Sequence, residues 1–190
     1  MTNKKLVLVL ITLIIISAFI FITGCALHEK TTEYIFPEIV VNATGQTQES
    51  IIEELKPSGN RDDLVTSIRK GTDNSVIVEV TNKQREKWLA DIEEMIEQCE
   101  KDAKADGGEI NVNENRTEFV NKIRKDADMV EGVKRSMLVT TRSLQYQIFN
   151  GVDPNEIKLR TIIINIQNNK VMADATLEEG YSIDADDWEE

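Results

Sequence analysis

The chain has 190 residues, of which 34 are acidic and 22 are basic, so its formal net charge is −12 at pH 7. This anionic balance argues against nucleic-acid binding and against electrostatic attachment to anionic lipid. His28 is the only histidine, which excludes a multi-histidine zinc site and a histidine-based catalytic triad.

The N-terminal segment carries the most informative pattern. Lys4 and Lys5 precede an unbroken apolar run that ends at Ile22-Thr-Gly-Cys25. A basic start, an apolar stretch and small residues before a cleavage point predict an export signal peptide over residues 1–24. The cysteine that follows is the pattern of bacterial lipoproteins, and it predicts that Cys25 carries a diacylglyceryl group. An uncleaved anchor is the alternative, although the run of about 17 residues is at the lower edge of what spans a bilayer.

A lipid on Cys25 has consequences for the rest of the chain. Residues 1–24 contain two lysines and no acid, so their removal changes the net charge from −12 to −14. Cys99 then has no partner for an intramolecular disulfide, and the fold must depend on its core. The lipidated cysteine and a flexible tether are predicted over residues 25–61, where small polar residues and turn formers are frequent. Apolar islands within 34–41 and 51–55 leave docking of parts of this segment as the alternative.

The folded domain is predicted over residues 62–177. Runs of β-branched residues predict strands over 64–69, 75–80, 109–112, 118–123, 157–166 and 171–175. Apolar residues at helical spacing predict two helices, one from the Thr81/Gln84 capping box to just before Gly107 and one over 128–150. Gly151 fits the C-terminal cap of the second helix.

The element order is therefore β-β-α-β-β-α-β-β. It predicts an α+β fold with a mostly antiparallel sheet and two amphipathic helices packed on one face. An acidic tail follows over residues 178–190. A disordered, solvated end is expected there, with docking through Tyr181 and Trp188 as the alternative.

Several of these pieces occur together in a known group of proteins. They are the strand 75–81 with the Glu/Lys-rich helix 83–101, the Phe-Asn-Gly ending at Gly151, and the strand pair within 157–176. In this respect the chain resembles small lipoproteins of Gram-positive bacteria that carry an uncharacterised α+β domain. The similarity covers residues 62–176. That group has no established activity, so the resemblance implies a fold and a location but no site residues.

The candidates for chemistry are few. Cys99 lies in register with the buried stripe of its helix and has no histidine to activate it, so it is predicted to fill the core. Glu93 and Glu97 share a helix face that is predicted to be solvated. Arg135 and Arg142 form a small basic stripe that is predicted to be salt-bridged. No catalytic, cofactor-binding or metal-binding residue is predicted, and the acidic tail lacks the spacing of a calcium loop.

These observations lead to an expected function. The chain is predicted to be lipid-anchored on the extracytoplasmic face of a cell membrane, as a non-enzymatic binding module for a protein or another envelope component. The alternative is a lipoprotein that binds a small ligand or a cation for uptake or sensing. An enzyme that works through carboxylates alone is a third hypothesis. No cofactor and no nucleic-acid partner are expected.

Overall fold

The structure of the chain is a computed structural model that describes residues 29–60, 63–125 and 129–188. The predicted signal peptide, Cys25, the domain start at Asp62 and the helix start at Asp128 lie outside these residues. The described elements, in chain order, are β1 (Thr31–Phe36), α1 (Glu38–Ala43), α2 (Gln48–Leu55), β2 (Ser67–Lys70), β3 (Val76–Thr81), α3 (Asn82–Ala105), β4 (Glu109–Val112), β5 (Glu118–Ile123), α4 (Met129–Phe149), β6 (Arg160–Asn165), β7 (Val171–Thr176) and a short 3-10 helix (Ala185–Trp188).

The predicted α+β class and the predicted order from β2 to β7 are confirmed. The capping box before α3 is present: Thr81 Oγ1 accepts from the Gln84 N–H at 3.1 Å, and Gln84 Oε1 accepts from the Thr81 N–H at 2.8 Å. Gly151 ends α4 with a φ of +78°, a conformation that glycine adopts without a steric penalty. Leu64 is not in the strand predicted over 64–69, and its carbonyl accepts a hydrogen bond from Trp88 Nε1.

The expectation of one sheet is wrong, because the strands form two. One sheet has the antiparallel order β1-β3-β2, and the other has the order β4-β5-β6-β7. The 24 residues of α3 advance the chain by about 36 Å between β3 and β4, and both edges of β3 are already occupied. Within the second sheet β5 and β6 are parallel, since α4 provides the crossover that a parallel pair requires.

The helices α3 and α4 are antiparallel neighbours. Arg85 at the start of α3 donates from Nε to the Phe149 carbonyl at the end of α4, at 2.5 Å. At the opposite end, Arg135 of α4 forms an ion pair with Asp106, just after α3. Side chains from both helices and both sheets fill one core, and the largest of those with almost no exposed surface are Phe119, Phe149, Ile92, Ile96 and Leu144.

The flexible tether predicted over 25–61 is wrong for residues 31–55, and with it the predicted domain start. The compact unit begins at Thr31, and β1 pairs along its whole length with β3, from Thr31 opposite Thr81 to Phe36 opposite Val76. The alternative interpretation, docking of the apolar islands, is the one the structure supports. Val40, Val41 and Ile51 of these islands are buried in the core.

Glu79 connects the three strands of the first sheet. Its carboxylate accepts hydrogen bonds from Thr31 Oγ1 of β1 and, at 2.8 Å, from Ser67 Oγ of β2. These hydroxyl donors lower the pKa of Glu79, and Arg69 contributes in the same direction. The β1 segment, which the sequence predicts to be part of a tether, is therefore held by polar contacts as well as by its apolar side chains.

The acidic tail is also more ordered than predicted. Residues 185–188 form the 3-10 helix, and the Asp184 N–H donates to Asp187 Oδ2 at 2.8 Å. Lys170, the residue before β7, donates from Nζ to the Asp186 carbonyl at 3.3 Å. Burial raises the pKa of Tyr181, and Ser136 of α4 acts on that pKa in the opposite direction, although nearly half of the Tyr181 surface is exposed. The alternative, docking of the tail on the domain, is thus supported.

Candidate functional site

An open groove of about 810 Å³ lies at the C-terminal end of α4. Its walls come from three separate parts of the chain: the turn between β4 and β5, the end of α4 with the loop that follows it, and the segment after β7. We call it the Tyr146 groove and define it by Asn115, Tyr146, Val152, Asn155, Glu156, Ile157, Lys158 and Glu178. Its volume falls within the range of small-molecule sites in proteins, which is about 300–1,000 Å³.

A buried glutamine fixes the walls of the groove. Gln147 has almost no exposed surface, and its Nε2 donates to the carbonyl oxygens of Arg116 at 2.7 Å and Lys158 at 2.9 Å. Its Oε1 accepts from the Lys158 N–H at 3.3 Å. The Gln147 side chain therefore holds the β4–β5 turn and the loop before β6 in place. In the same contacts, both the Nε2 and the Oε1 of its buried amide have hydrogen-bond partners.

The aromatic ring of the groove is also held in place. The Arg116 guanidinium carbon lies 5.5 Å from the centre of the Tyr146 ring, which is the geometry of a cation–π contact. Arg116 has a φ of +55°, in the left-handed region that non-glycine residues rarely adopt. The turn thus places a cation against Tyr146, while the Tyr146 hydroxyl makes no hydrogen bond with any described residue.

Charged side chains of both signs line the groove without pairing. Within the part of the chain that the structure describes, the side chains of Glu156, Lys158 and Glu178 form no ion pair or hydrogen bond. The amide of Asn115 is in the same situation, and the Asn155 amide bonds only to neighbouring Asp153. Polar groups that converge on a concave surface and lack internal partners are available to a ligand.

A second surface lies on α4 itself. Val133 and Met137 are 53% and 51% exposed, and Val130, one turn earlier, is 63% exposed. They continue a helical stripe on which Leu144 and Ile148 are buried. Helix α4 contacts α3, α1 and β1. We call Val130, Val133 and Met137 the α4 stripe. Half of one apolar helix face is therefore covered by the fold and half is open to solvent.

The structure tests the prediction for Cys99 but not the prediction for Cys25. Cys25 lies outside the described residues, so its lipidation stays a prediction. Cys99 is 3% exposed, as predicted for a core residue, and burial raises the pKa of its thiol. A raised pKa lowers the thiolate fraction at neutral pH, which makes this side chain a poor nucleophile.

The remaining charged candidates do not form a common site. Glu97 pairs with Lys101 at 3.4 Å on the exposed side of α3, and Glu93 is exposed. Arg135 pairs with Asp106, whereas Arg142 is half-buried and donates to Gln145 Oε1 at 2.8 Å. Burial lowers the pKa of Arg142. Among the described residues no cluster of three or more His, Cys, Asp or Glu side chains could hold a metal ion.

Comparisons with known proteins give no relative for this chain: no family model, no curated protein and no solved structure matches it. A search of the described helices for membrane spans finds none with the length and apolar character to cross a bilayer. The fold and the two surfaces therefore have to be interpreted from their own chemistry.

Sequence reasoning missed both surfaces. Tyr146, Lys158 and Glu178 lie in three elements with no shared spacing, so no motif connects them before the chain folds. Val133 and Met137 are among the apolar residues whose helical spacing predicts the helix over 128–150, but that spacing does not show which turns of the helix will be covered.

Proposed function

We propose that this chain is a lipoprotein, anchored through Cys25 on the extracytoplasmic face of a cell membrane, that acts as a non-enzymatic binding module for an envelope protein. The sequence Ile22-Thr-Gly-Cys25 supports the anchor, and the lipid would hold the chain at the bilayer. Five residues lie between Cys25 and Thr31, the first residue of β1, and an extended chain over those six residue steps spans at most about 20 Å. A domain on so short a link would work close to the membrane surface.

The observation that carries the binding role is the exposed α4 stripe. Apolar side chains grouped on one surface and open to water mark sites of protein or membrane interaction. The net charge of −14 without residues 1–24 disfavours an anionic lipid surface. Where α4 is covered by the fold, the elements in contact with it are protein helices and a strand, namely α3, α1 and β1. A protein segment with an apolar face is therefore the occupant that continues this packing.

The anchor has a direct test with a matched control. Cells that produce the wild-type chain, Cys25→Ala or Cys99→Ala are grown with radiolabelled palmitate, and the label on each chain is counted after purification. The wild type and Cys99→Ala are expected to carry the same label, because Cys99 is buried in the core. Cys25→Ala is expected to carry none and to leave the detergent-rich phase. Label that survives in Cys25→Ala would refute the anchor.

The partner surface is tested by photocrosslinking in intact source cells. A photoreactive phenylalanine analogue replaces Met137 on the stripe or, as the control, exposed Glu94 on α3. Position 137 is expected to give a discrete protein adduct that position 94 does not give. Val133→Asp in the same chain is expected to reduce that adduct at least tenfold, because a charge on the stripe opposes apolar burial. The same adducts at both positions, or adducts to lipid only, would contradict the proposal.

A second function is favoured by the Tyr146 groove, namely binding of a small ligand for uptake or sensing. The helix–sheet interior is filled by buried side chains, but this groove at its rim is concave, open and lined by polar groups without partners. The residues that line the groove limit the class of ligand that it can bind.

A further inference from the structure

We propose that the Tyr146 groove binds a short peptide that carries both a positive and a negative charge. This inference rests on the second function proposed above, ligand binding in the groove. It is independent of the α4 stripe and of the lipid anchor. The juxtaposition that carries it is that Lys158, Glu156, Glu178 and Tyr146 line one groove.

The charges in the groove determine the charge pattern of a ligand. One ammonium group and two carboxylates line the same concave surface, yet none of them pairs with another described group. A ligand with an anionic and a cationic group can neutralise both signs at once. A polyanion such as a nucleic acid would be repelled by the carboxylates of Glu156 and Glu178. A simple metal cation would be repelled by the ammonium group of Lys158. The lining therefore selects against ligands of a single sign.

The uncharged lining fits the rest of a peptide. Asn115 and Asn155 each present an amide that can both donate and accept, which is what the main-chain N–H and C=O groups of a peptide require. Val152 and Ile157 supply aliphatic contact, and the Tyr146 hydroxyl is an additional donor or acceptor. Amide, aliphatic and charged groups of both signs occur together in peptides. A neutral oligosaccharide would use the amides and Tyr146 but would leave all three charges unpaired.

The groove is also preorganised. Gln147 bonds to the main chain of two walls of the groove, at the carbonyls of Arg116 and Lys158. The Arg116 guanidinium contacts one face of the Tyr146 ring. Little ordering is therefore needed when a ligand enters, which favours measurable affinity from a small number of contacts.

The test uses the full chain, affinity-tagged and held in polyoxyethylene detergent, so that no sugar detergent competes for the site. The probe is a tryptic digest of casein limited to peptides of three to eight residues, and retained peptides are identified by mass spectrometry. The dissociation constant of a retained peptide is then measured by titration calorimetry. Lys158→Met and Glu178→Gln are each expected to raise it about tenfold, corresponding to about 1.4 kcal/mol. Lys101→Met and Glu97→Gln, on α3, are the matched controls and are expected to leave it unchanged.

The outcomes separate the peptide inference from the function on which it rests. The retained peptide is also titrated with both ends capped: undiminished binding indicates a segment inside a protein, and loss of binding indicates a free peptide. A chito-oligosaccharide that binds in a Lys158-sensitive way, while no peptide is retained, would overturn the peptide inference and leave the ligand-binding function standing. Peptide binding that is the same in all four variants would also overturn it. Because the substituted side chains have no partner in the groove, circular dichroism is expected to show each variant folded.

Discussion

Replacing Phe149 by alanine is expected to lower the free energy of unfolding by about 4 kcal/mol, as for large aromatic side chains in well-packed cores. Phe149 has no exposed surface, and its ring meets three others: Trp88 stacked at 5.3 Å, Tyr34 tilted at 5.2 Å and Phe36 edge-on at 5.8 Å. The substitution leaves a cavity and removes three aromatic contacts at the point where β1, α3 and α4 meet.

Urea unfolding followed by tryptophan fluorescence measures this effect, since Trp88 reports directly on the Phe149 contact. Phe149→Leu keeps most of the buried apolar surface and is expected to lose about 2 kcal/mol. Ile35→Ala, at a 42% exposed position of β1, is the control for a loss of apolar surface outside the core. A loss in Phe149→Ala no greater than in Ile35→Ala would show that β1 does not depend on this ring cluster.

Replacing Gln147 by methionine is expected to lower the free energy of unfolding by about 2 kcal/mol, the scale for leaving partly buried backbone groups without partners. Methionine matches the length of glutamine but cannot bond to the carbonyls of Arg116 and Lys158 or to the Lys158 N–H. The loss should exceed that of a simple core substitution of similar volume, because three main-chain groups are affected at once.

The matched control is Gln98→Met, at an exposed position of α3. The Gln98 side chain bonds only to the side chain of Asp102, one turn further along the helix. That variant is expected to stay within about 0.5 kcal/mol of the wild type, as is usual for surface substitutions. Equal values for Gln147→Met and Gln98→Met in urea unfolding would show that the three hydrogen bonds contribute nothing to stability.

The elements that could be predicted from the sequence are those with local signals. α3 begins where expected because Thr81 and Gln84 satisfy each other within one turn, and it ends before Gly107, whose φ is +75°. β4 and β5 were predicted with their observed bounds, since both are short β-branched runs on either side of a polar turn. The helix cap, the terminating glycine and the two strand patterns each depend on a few residues that are neighbours in the sequence.

The parts that were missed depend on contacts between distant residues. β1 pairs with residues that lie 40 to 50 positions further along the chain, and the small polar residues after α1 resemble a linker in composition. The division into two sheets follows from the length of α3 and from the position of β1 on β3, and neither can be seen in the strand patterns. The Tyr146 groove exists only after three segments have met.

Helix α4 carries residues of both candidate surfaces, and their positions on it decide whether the two can be occupied together. Met137 and Tyr146 are nine residues apart, so they differ by about 14 Å along the axis and by half a turn around it. They therefore point to opposite sides of one rigid helix. A peptide in the groove and a protein on the stripe would not compete for space, and a ternary complex is sterically permitted.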